Sequence, residues 1–315
     1  MRNVLGWIGR VLLTSGILLL LFVAYQLWGT GILQAREQSK LQDQFQQAIK
    51  AHNGSTTTTR PATATTGPDN PTLTTPTTTG AQLAVPPNGD PVARIEIKKL
   101  GVDQTVVEGV DVPDLRSGPG HYPITPLPGQ EGSTAIAGHR TTYGAPFGDL
   151  DQLAPGDEIV ITTVDGKRWV YKVDQDSPFV VEPTQGDVLQ PTPDPNRPGH
   201  SLATLTLTTC NPKFSAAKRL IVQATIVLPP GEVPLPATSV DPGTAKATIS
   251  GLEGDSGSRF PALLWAVIAA LVGGAWWFLF HRYKKWYVWI AGAIPFVVVL
   301  FVFYTYLERL LPSNY

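Results

Sequence analysis

One cysteine, Cys210, closes the run Thr206-Leu207-Thr208-Thr209-Cys210 and lies nine residues before Arg219. A thiolate is a strong nucleophile, so a retained thiol suggests acyl transfer through a covalent intermediate. A lone cysteine cannot form an intramolecular disulfide. That leaves two roles, a small buried hydrophobe or a thiol kept for its reactivity. Position favours the second. In an extended strand Thr204, Thr206, Thr208 and Cys210 share one face, while Leu205 and Leu207 point the other way. Asn211-Pro212 then breaks the strand, so the pattern predicts Cys210 at a strand end, on a polar face where a site can open.

A nucleophilic cysteine takes a histidine as its proton partner, close in space rather than in sequence. The five histidines are His52, His121, His139, His200 and His281. His52 borders a low-complexity stretch and His281 lies in a basic connector, which leaves three. His139 follows Ala135-Ile136-Ala137-Gly138 and precedes Arg140-Thr141-Thr142-Tyr143-Gly144, again a strand end opening into a loop. It is the candidate partner, with His121 as a supporting residue and His200 as a loop residue. Arg219 opens the run Arg-Leu-Ile-Val. If it starts the strand next to the one ending in Cys210, its guanidinium lies beside the sulfur and can bind a carbonyl or an oxyanion. Each residue also has a bland reading: packing for Cys210, a structural role for His139, a surface position for Arg219. Scattered histidines and one cysteine offer no zinc-type spacing, so no metal is expected. Asp149, Asp151, Asp157 and Glu158 are read as turn and strand-edge residues rather than a calcium site.

These residues must be held by residues 91–228, a segment of single-domain size. Its texture is short alternating runs rich in Val, Ile and Thr, such as VARIEIKKL, EIVITTV, RWVYKV, LATLTLTTC and RLIVQATIV. They read as strands, with Asp165-Gly166 as a hairpin turn. No long amphipathic helix intervenes. The expected fold is mainly β, a closed barrel or sandwich of mostly antiparallel strands.

The flanks are of another kind. Val11 to Trp28, Phe260 to Phe280 and Tyr287 to Leu307 are apolar on every face, and each is long enough to span about 30 Å of hydrocarbon. Arg2 and Arg10 precede the first, and a basic connector joins the other two. The positive-inside rule therefore puts both basic segments in the cytoplasm and the middle domain outside. Residues 55–80, almost all Thr, Pro, Gly and Ala, bury too little apolar surface to fold alone and read as a spacer reaching on the order of 80 Å when extended. The expected organisation is a cytoplasmic N-terminus (1–10), a transmembrane anchor (11–28), a polar juxtamembrane helix (29–52) with a solvated face, a Thr/Pro-rich linker (53–90), an extracellular domain (91–228), a second linker (229–259), a transmembrane helix (260–280), a basic cytoplasmic loop (281–286), a transmembrane helix (287–307) and an extracellular tail (308–315). Membrane lipid is thus an expected partner. A formal charge of -1 with no Lys/Arg-rich run in the middle excludes a nucleic-acid surface built on bulk basicity.

The TLTTC segment, the arginine nine residues on and the upstream GHR together resemble the sortases, cysteine transpeptidases of Gram-positive cell walls. The resemblance covers about residues 92–227 and includes SGPGHYPITPLPGQEGSTAIAGHRTTYGAPFGDLDQLAPGDEI. It implies a sortase-like β-barrel and a reaction that needs no cofactor. In that reaction Cys210 attacks the Thr-Gly carbonyl of a C-terminal sorting signal, His139 protonates the leaving amine, and Arg219 holds the signal and the developing oxyanion. It further implies secreted signal-bearing proteins and a lipid-linked peptidoglycan precursor amine as partners. Among the subclasses the chain is most similar to class E, which favours LAxTG. Tyr122, in GPGHYP, occupies the position associated with that preference. Tyr122, His121, Thr208 and Thr209 are the substrate-binding candidates, and the loop from Glu182 to His200 is expected to wall the groove. A pilin-polymerising sortase would use the same residues but usually carries an aromatic lid motif that this chain lacks. An L,D-transpeptidase has a Ser-His-Gly stretch before its cysteine, which is absent here. A non-catalytic wall scaffold, with Cys210 as packing, is the remaining alternative.

Overall fold

The computed structural model describes residues 2–55, 85–190, 203–237, 259–280 and 286–310. The spacer, most of the second linker, the basic connector and the end of the loop before the cysteine strand lie outside them. Helix α1 (Arg2–Ala24) passes through a π-helical turn at Tyr25–Gly29 into α2 (Thr30–Ser55). The strands are β1 (Pro91–Ile97), β2 (Val102–Glu108), β3 (Gly120–His121), β4 (Gly132–Ala137), β5 (Glu158–Thr163), β6 (Arg168–Val173), β7 (Phe179–Val181), β8 (Ala203–Asn211) and β9 (Lys218–Val227). A short helix α3 (Val112–Ser117) precedes β3, and α4 (Arg259–Phe280) and α5 (Trp286–Leu310) end the described chain.

The strands run in the order β6-β5-β1-β2-β3-β4-β8-β9, and β6 also pairs with β9, which closes an eight-stranded barrel. β7 continues along the free part of the same β9 edge, opposite Arg219 to Ile221. Among the pairings between these strands only β2–β3 and β4–β8 are parallel. Alternation builds this closure. On β6, Trp169, Tyr171 and Val173 are buried while Arg168 and Lys172 face water, as a pleat with one face on a core requires. The core is formed by Ile95, Ile97, Ile136, Ile159, Ile161, Tyr171, Leu205, Leu207 and Val222, among others. Burying each such side chain contributes roughly 1.5–3 kcal/mol. The Tyr171 hydroxyl accepts from the Gly129 N–H at 2.8 Å, so the largest core ring keeps its polar atom satisfied.

Two expectations change here. The face of β8 bearing Thr204, Thr206, Thr208 and Cys210 is not open, because all four residues are buried. The Gly186–Leu189 turn folds over neighbouring β4, and Thr206 and Ser133 hydroxyls meet at 3.5 Å. Likewise α2 is not a solvated stalk. Gln34, Gln38, Leu41 and Phe45, spaced to share one helical face, are buried or bonded to the barrel. Gln38 donates to Thr105 O at 2.9 Å and Ser117 O at 2.8 Å and accepts from Thr105 N–H at 2.8 Å. Its amide thus substitutes for strand partners along β2, which has no strand on that side there.

Among the described residues two helices are long and apolar enough to cross a membrane, Leu12–Asn53 and Arg259–Leu279, and Ala293–Glu308 is a shorter apolar stretch within α5. α1 and α5 are bonded directly. Tyr304 donates to Leu18 O at 2.7 Å and Tyr25 to Thr305 Oγ1 at 3.1 Å, with Tyr25 and Phe301 rings edge to face at 5.1 Å.

Candidate active site

β8 and β9 pair antiparallel from Thr204–Thr225 to Asn211–Lys218, and in that register Cys210 is directly opposite Arg219. Directly opposed residues send their side chains to the same face, with Cβ atoms roughly 4.5–5.5 Å apart. On the other side of β8 lies β4, parallel, with Ala137 opposite Thr208. The pairing continues past the strand end, since Gly138 N–H donates to Thr208 O at 3.1 Å and Thr209 Oγ1 donates to Gly138 O at 2.7 Å. Carried one further step along both chains, the same register sets His139 level with Cys210. The chain can turn here because Gly138 has no side chain: a Cβ would lie 2.6 Å from the Phe147 ring. Phe147 N–H in turn donates to His139 O at 3.1 Å, closing the loop back on the histidine.

Electrostatics keep the resting pair uncharged. Burial pushes the Cys210 thiol up from its ordinary 9.0, against the pull of Arg219 and then Arg140. Burial, and after it the positive charge of Arg116, bring the His139 imidazole down to about 4. Desolvation disfavours the charged form of each group. Arg219 and Arg140 oppose this effect at the thiol, whereas Arg116 adds to it at the imidazole. Arg219 Nη1 donates to Ala216 O at 3.0 Å and Lys218 O at 3.1 Å, which ties the guanidinium to the β8–β9 connection.

The other sequence candidates divide. Tyr122 lies on the cysteine's side of the sheet, its hydroxyl 3.3 Å from Thr208 Oγ1, and the charge of Arg219 is felt at its phenol. Thr209 ties β8 to the His139 loop. His121 faces away from the cysteine, fully buried, with Nδ1 2.8 Å from Glu108 Oε2 and Nε2 3.0 Å from Pro126 O. It anchors β3 and the loop after it. Asp149, Asp151 and Asp157 are paired with Lys213, Arg140 and Lys99. No grouping of three or more metal-ligating side chains occurs among the described residues.

Residues 95–227 match the family described as Sortase domain. The chain carries a sortase domain. It is 33% identical over 234 residues to Sortase SrtE1 of Streptomyces coelicolor, an alignment covering 70% of this chain and 56% of that protein. It is 28% identical over 234 residues to Sortase SrtE2 of the same organism, covering 70% and 81%. The chain thus spans little more than half the length of the first of these relatives. A solved sortase E from Streptomyces avermitilis is 38% identical, with 45% of this chain and 91% of that one covered and a TM-score of 0.40. The similarity is to class E sortases, and sortases are cysteine transpeptidases.

The sortase domain also uses residues that sequence reasoning passed over. Arg140, next to the histidine, is buried and donates from Nη1 to Cys210 O at 3.0 Å and to Asn211 Oδ1 at 2.6 Å, while Nη2 lies 3.1 Å from Asp151. It fixes the backbone at the thiol. The one signal in the sequence was a cation directly after the candidate histidine, with Asp151 eleven residues on as a partner. Tyr143, whose ring centroid is 5.0 Å from that of His139, was also missed.

Proposed function

We propose that this chain is a membrane-anchored class E sortase that cleaves an LAxTG or LPxTG sorting signal between Thr and Gly and joins the protein to a lipid-linked peptidoglycan precursor. The observation that carries the reading is the Cys210–Arg219 pair on β8 and β9 with His139 at the end of adjoining β4. In the first half-reaction Cys210 Sγ⁻ adds to the Thr carbonyl carbon, the C–N bond breaks, and the His139 imidazolium gives its proton to the departing Gly amine. Arg219 donates to the carbonyl oxygen as it gains charge. In the second, the precursor amine adds to the thioester, its proton passes to the imidazole, and Cys210 leaves as thiolate, which restores the starting form. Tyr122 and Thr208 line the side of the groove where the residue after the signal's Leu is received.

The catalytic domain, residues 91–228, is extracellular in this reading, between an N-terminal anchor and a C-terminal hairpin. Support comes from the basic residues before the first span and between the last two. It also comes from the pairing of α1 and α5, whose late residues meet each other as two spans leaving the membrane on one side require. The full chain in detergent, with quenched LAxTG and LPxTG peptides and an amine acceptor, tests the proposal. Cleavage between Thr and Gly, faster for LAxTG and absent in Cys210→Ala, is expected. Equal cleavage by Cys210→Ala contradicts it.

A further inference from the structure

The loop after His139 rests on the start of α2 and the last turn of α5 through Tyr143. This residue packs its ring on the imidazole, with planes tilted by 38°. Its backbone is left-handed, φ 50°, a conformation that costs a bulky residue on the order of 1 kcal/mol and persists only where its surroundings impose it. Those surroundings come from three distant elements. At the start of α2, Thr30 Oγ1 accepts the Tyr143 N–H at 3.1 Å, while its own hydroxyl donates to Gln26 O at 2.8 Å. From α3, Arg116 Nε donates to the Tyr143 hydroxyl at 3.1 Å, and its guanidinium carbon lies 5.9 Å from the ring centre. In the last turn of α5, Glu308 accepts a hydrogen bond from the Tyr143 hydroxyl, and Arg116 Nη2 is 3.6 Å from its carboxylate. The side chains of Arg116 and Glu308 are only 18% and 11% exposed. Next to the tyrosine, Gly144 at φ +73 approaches α2 so closely that a Cβ would sit 2.6 Å from Gln34 Oε1.

We infer that Tyr143, clamped by Arg116 and Glu308, is a positioning residue for His139, and that the C-terminal helical hairpin is retained because it supplies the Glu308 half of the clamp. This rests on the reading of His139 as the proton-transfer group. Arg116 from α3 is the charge felt at the imidazole, and Glu308 from α5 lies beside that guanidinium; Arg140 from the same loop, Cys210 from β8 and Arg219 from β9 are the other titratable or charged groups at this end of the barrel. Arg140 is engaged by Asp151, Asn211 and the Cys210 carbonyl, which leaves the Arg116–Glu308 pair as the adjustable term. Glu308 neutralises Arg116. Without it, the guanidinium charge would act on the imidazole uncompensated and disfavour the imidazolium further.

The test uses the full chain in lipid nanodiscs, with peptide and amine, and compares Glu308→Gln, Tyr143→Phe, Arg116→Gln and the Arg116→Gln/Glu308→Gln double variant. Glu308→Gln is expected to lower kcat several-fold with KM unchanged and to move the acid limb of the kcat/KM profile down by about half to one pH unit. Arg116→Gln moves that limb up, and the double variant returns it towards wild type. Tyr143→Phe, which keeps the ring and loses both hydroxyl contacts, lowers kcat without a change in KM. A role confined to stability would reduce the active fraction and leave the limb in place. Wild-type kcat and acid limb in Glu308→Gln and Tyr143→Phe, with His139→Ala and Cys210→Ala inactive, overturn the inference alone. Activity retained by His139→Ala or Cys210→Ala removes the functional reading, and this inference with it.

Discussion

At the scale of single residues, the reaction depends on two groups that the fold keeps neutral. The proposed roles lead to a bell-shaped kcat/KM profile with its acid limb well below the ordinary histidine value, near 4, and its alkaline limb above 9.0. The same imidazole enters stability. Its folded pKa of about 4 lies below the ordinary 6.5, so its contribution is complete above about 6.5 and is lost as pH falls through about 4. His139→Gln should flatten that part of the pH–stability curve while leaving the neutral range little changed, as measured by thermal unfolding between pH 4 and 7. Arg140→Ala should cost about 2–4 kcal/mol in transition-state binding, because the Cys210 carbonyl and Asn211 lose a buried charged donor. The KM–kcat split should show the loss mainly in kcat. Cys210, His139 and Arg219 were legible because each stands where a strand begins or ends, which periodicity reveals. The contacts of Arg140 with Cys210 and Asn211 and those of Tyr143 were not, because these partners lie on distant elements and no spacing within the chain encodes them.

Elements do the positioning. β4 and β8 are parallel neighbours far apart in sequence, so the place of His139 depends on their register, and Gly138 is the point where that register meets the loop. Gly138→Ala would drive a methyl into Phe147, with an expected cost of roughly 1–3 kcal/mol and a loss of kcat larger than the loss of folded protein. Leu207→Ala, in the core directly behind the site, should by contrast lower stability by about 2–5 kcal/mol while the surviving fraction keeps its KM. The strands and the β5–β6 hairpin could be read from alternation and from Asp165-Gly166. The docking of α2 could not. A glutamine looks like a solvent-facing residue by composition, and only a barrel edge with unpaired backbone makes Gln38 a substitute strand partner. The loop from Glu182 to His200 was expected beside the site and its Gly186–Leu189 turn contacts β4, but the burial of the β8 threonines was not legible: threonines mark a polar face whether water or protein satisfies them.

For the whole molecule, the barrel does not hang from a stalk. It is seated on α2 through Thr30 and Gln34 and on the last turn of α5 through Glu308. The three apolar runs were plain in the sequence, but the contact of α5 with the loop after His139 was not, since nothing in a hydrophobic run specifies its neighbour. The proposed topology predicts that Gln42→Cys, made in a Cys210→Ala background, is labelled by a membrane-impermeant maleimide added to intact cells. Labelling only after lysis would reverse the orientation. The central claim concerns the thiol itself, and the most direct measurement is the intact mass of the full chain after brief exposure to an LAxTG peptide without acceptor amine. The account predicts an added mass equal to the peptide up to its Thr, mapped to the fragment containing Cys210, released by an amine and absent in Cys210→Ala. Turnover of the peptide with no adduct on Cys210, or with one that persists in Cys210→Ala, would contradict it.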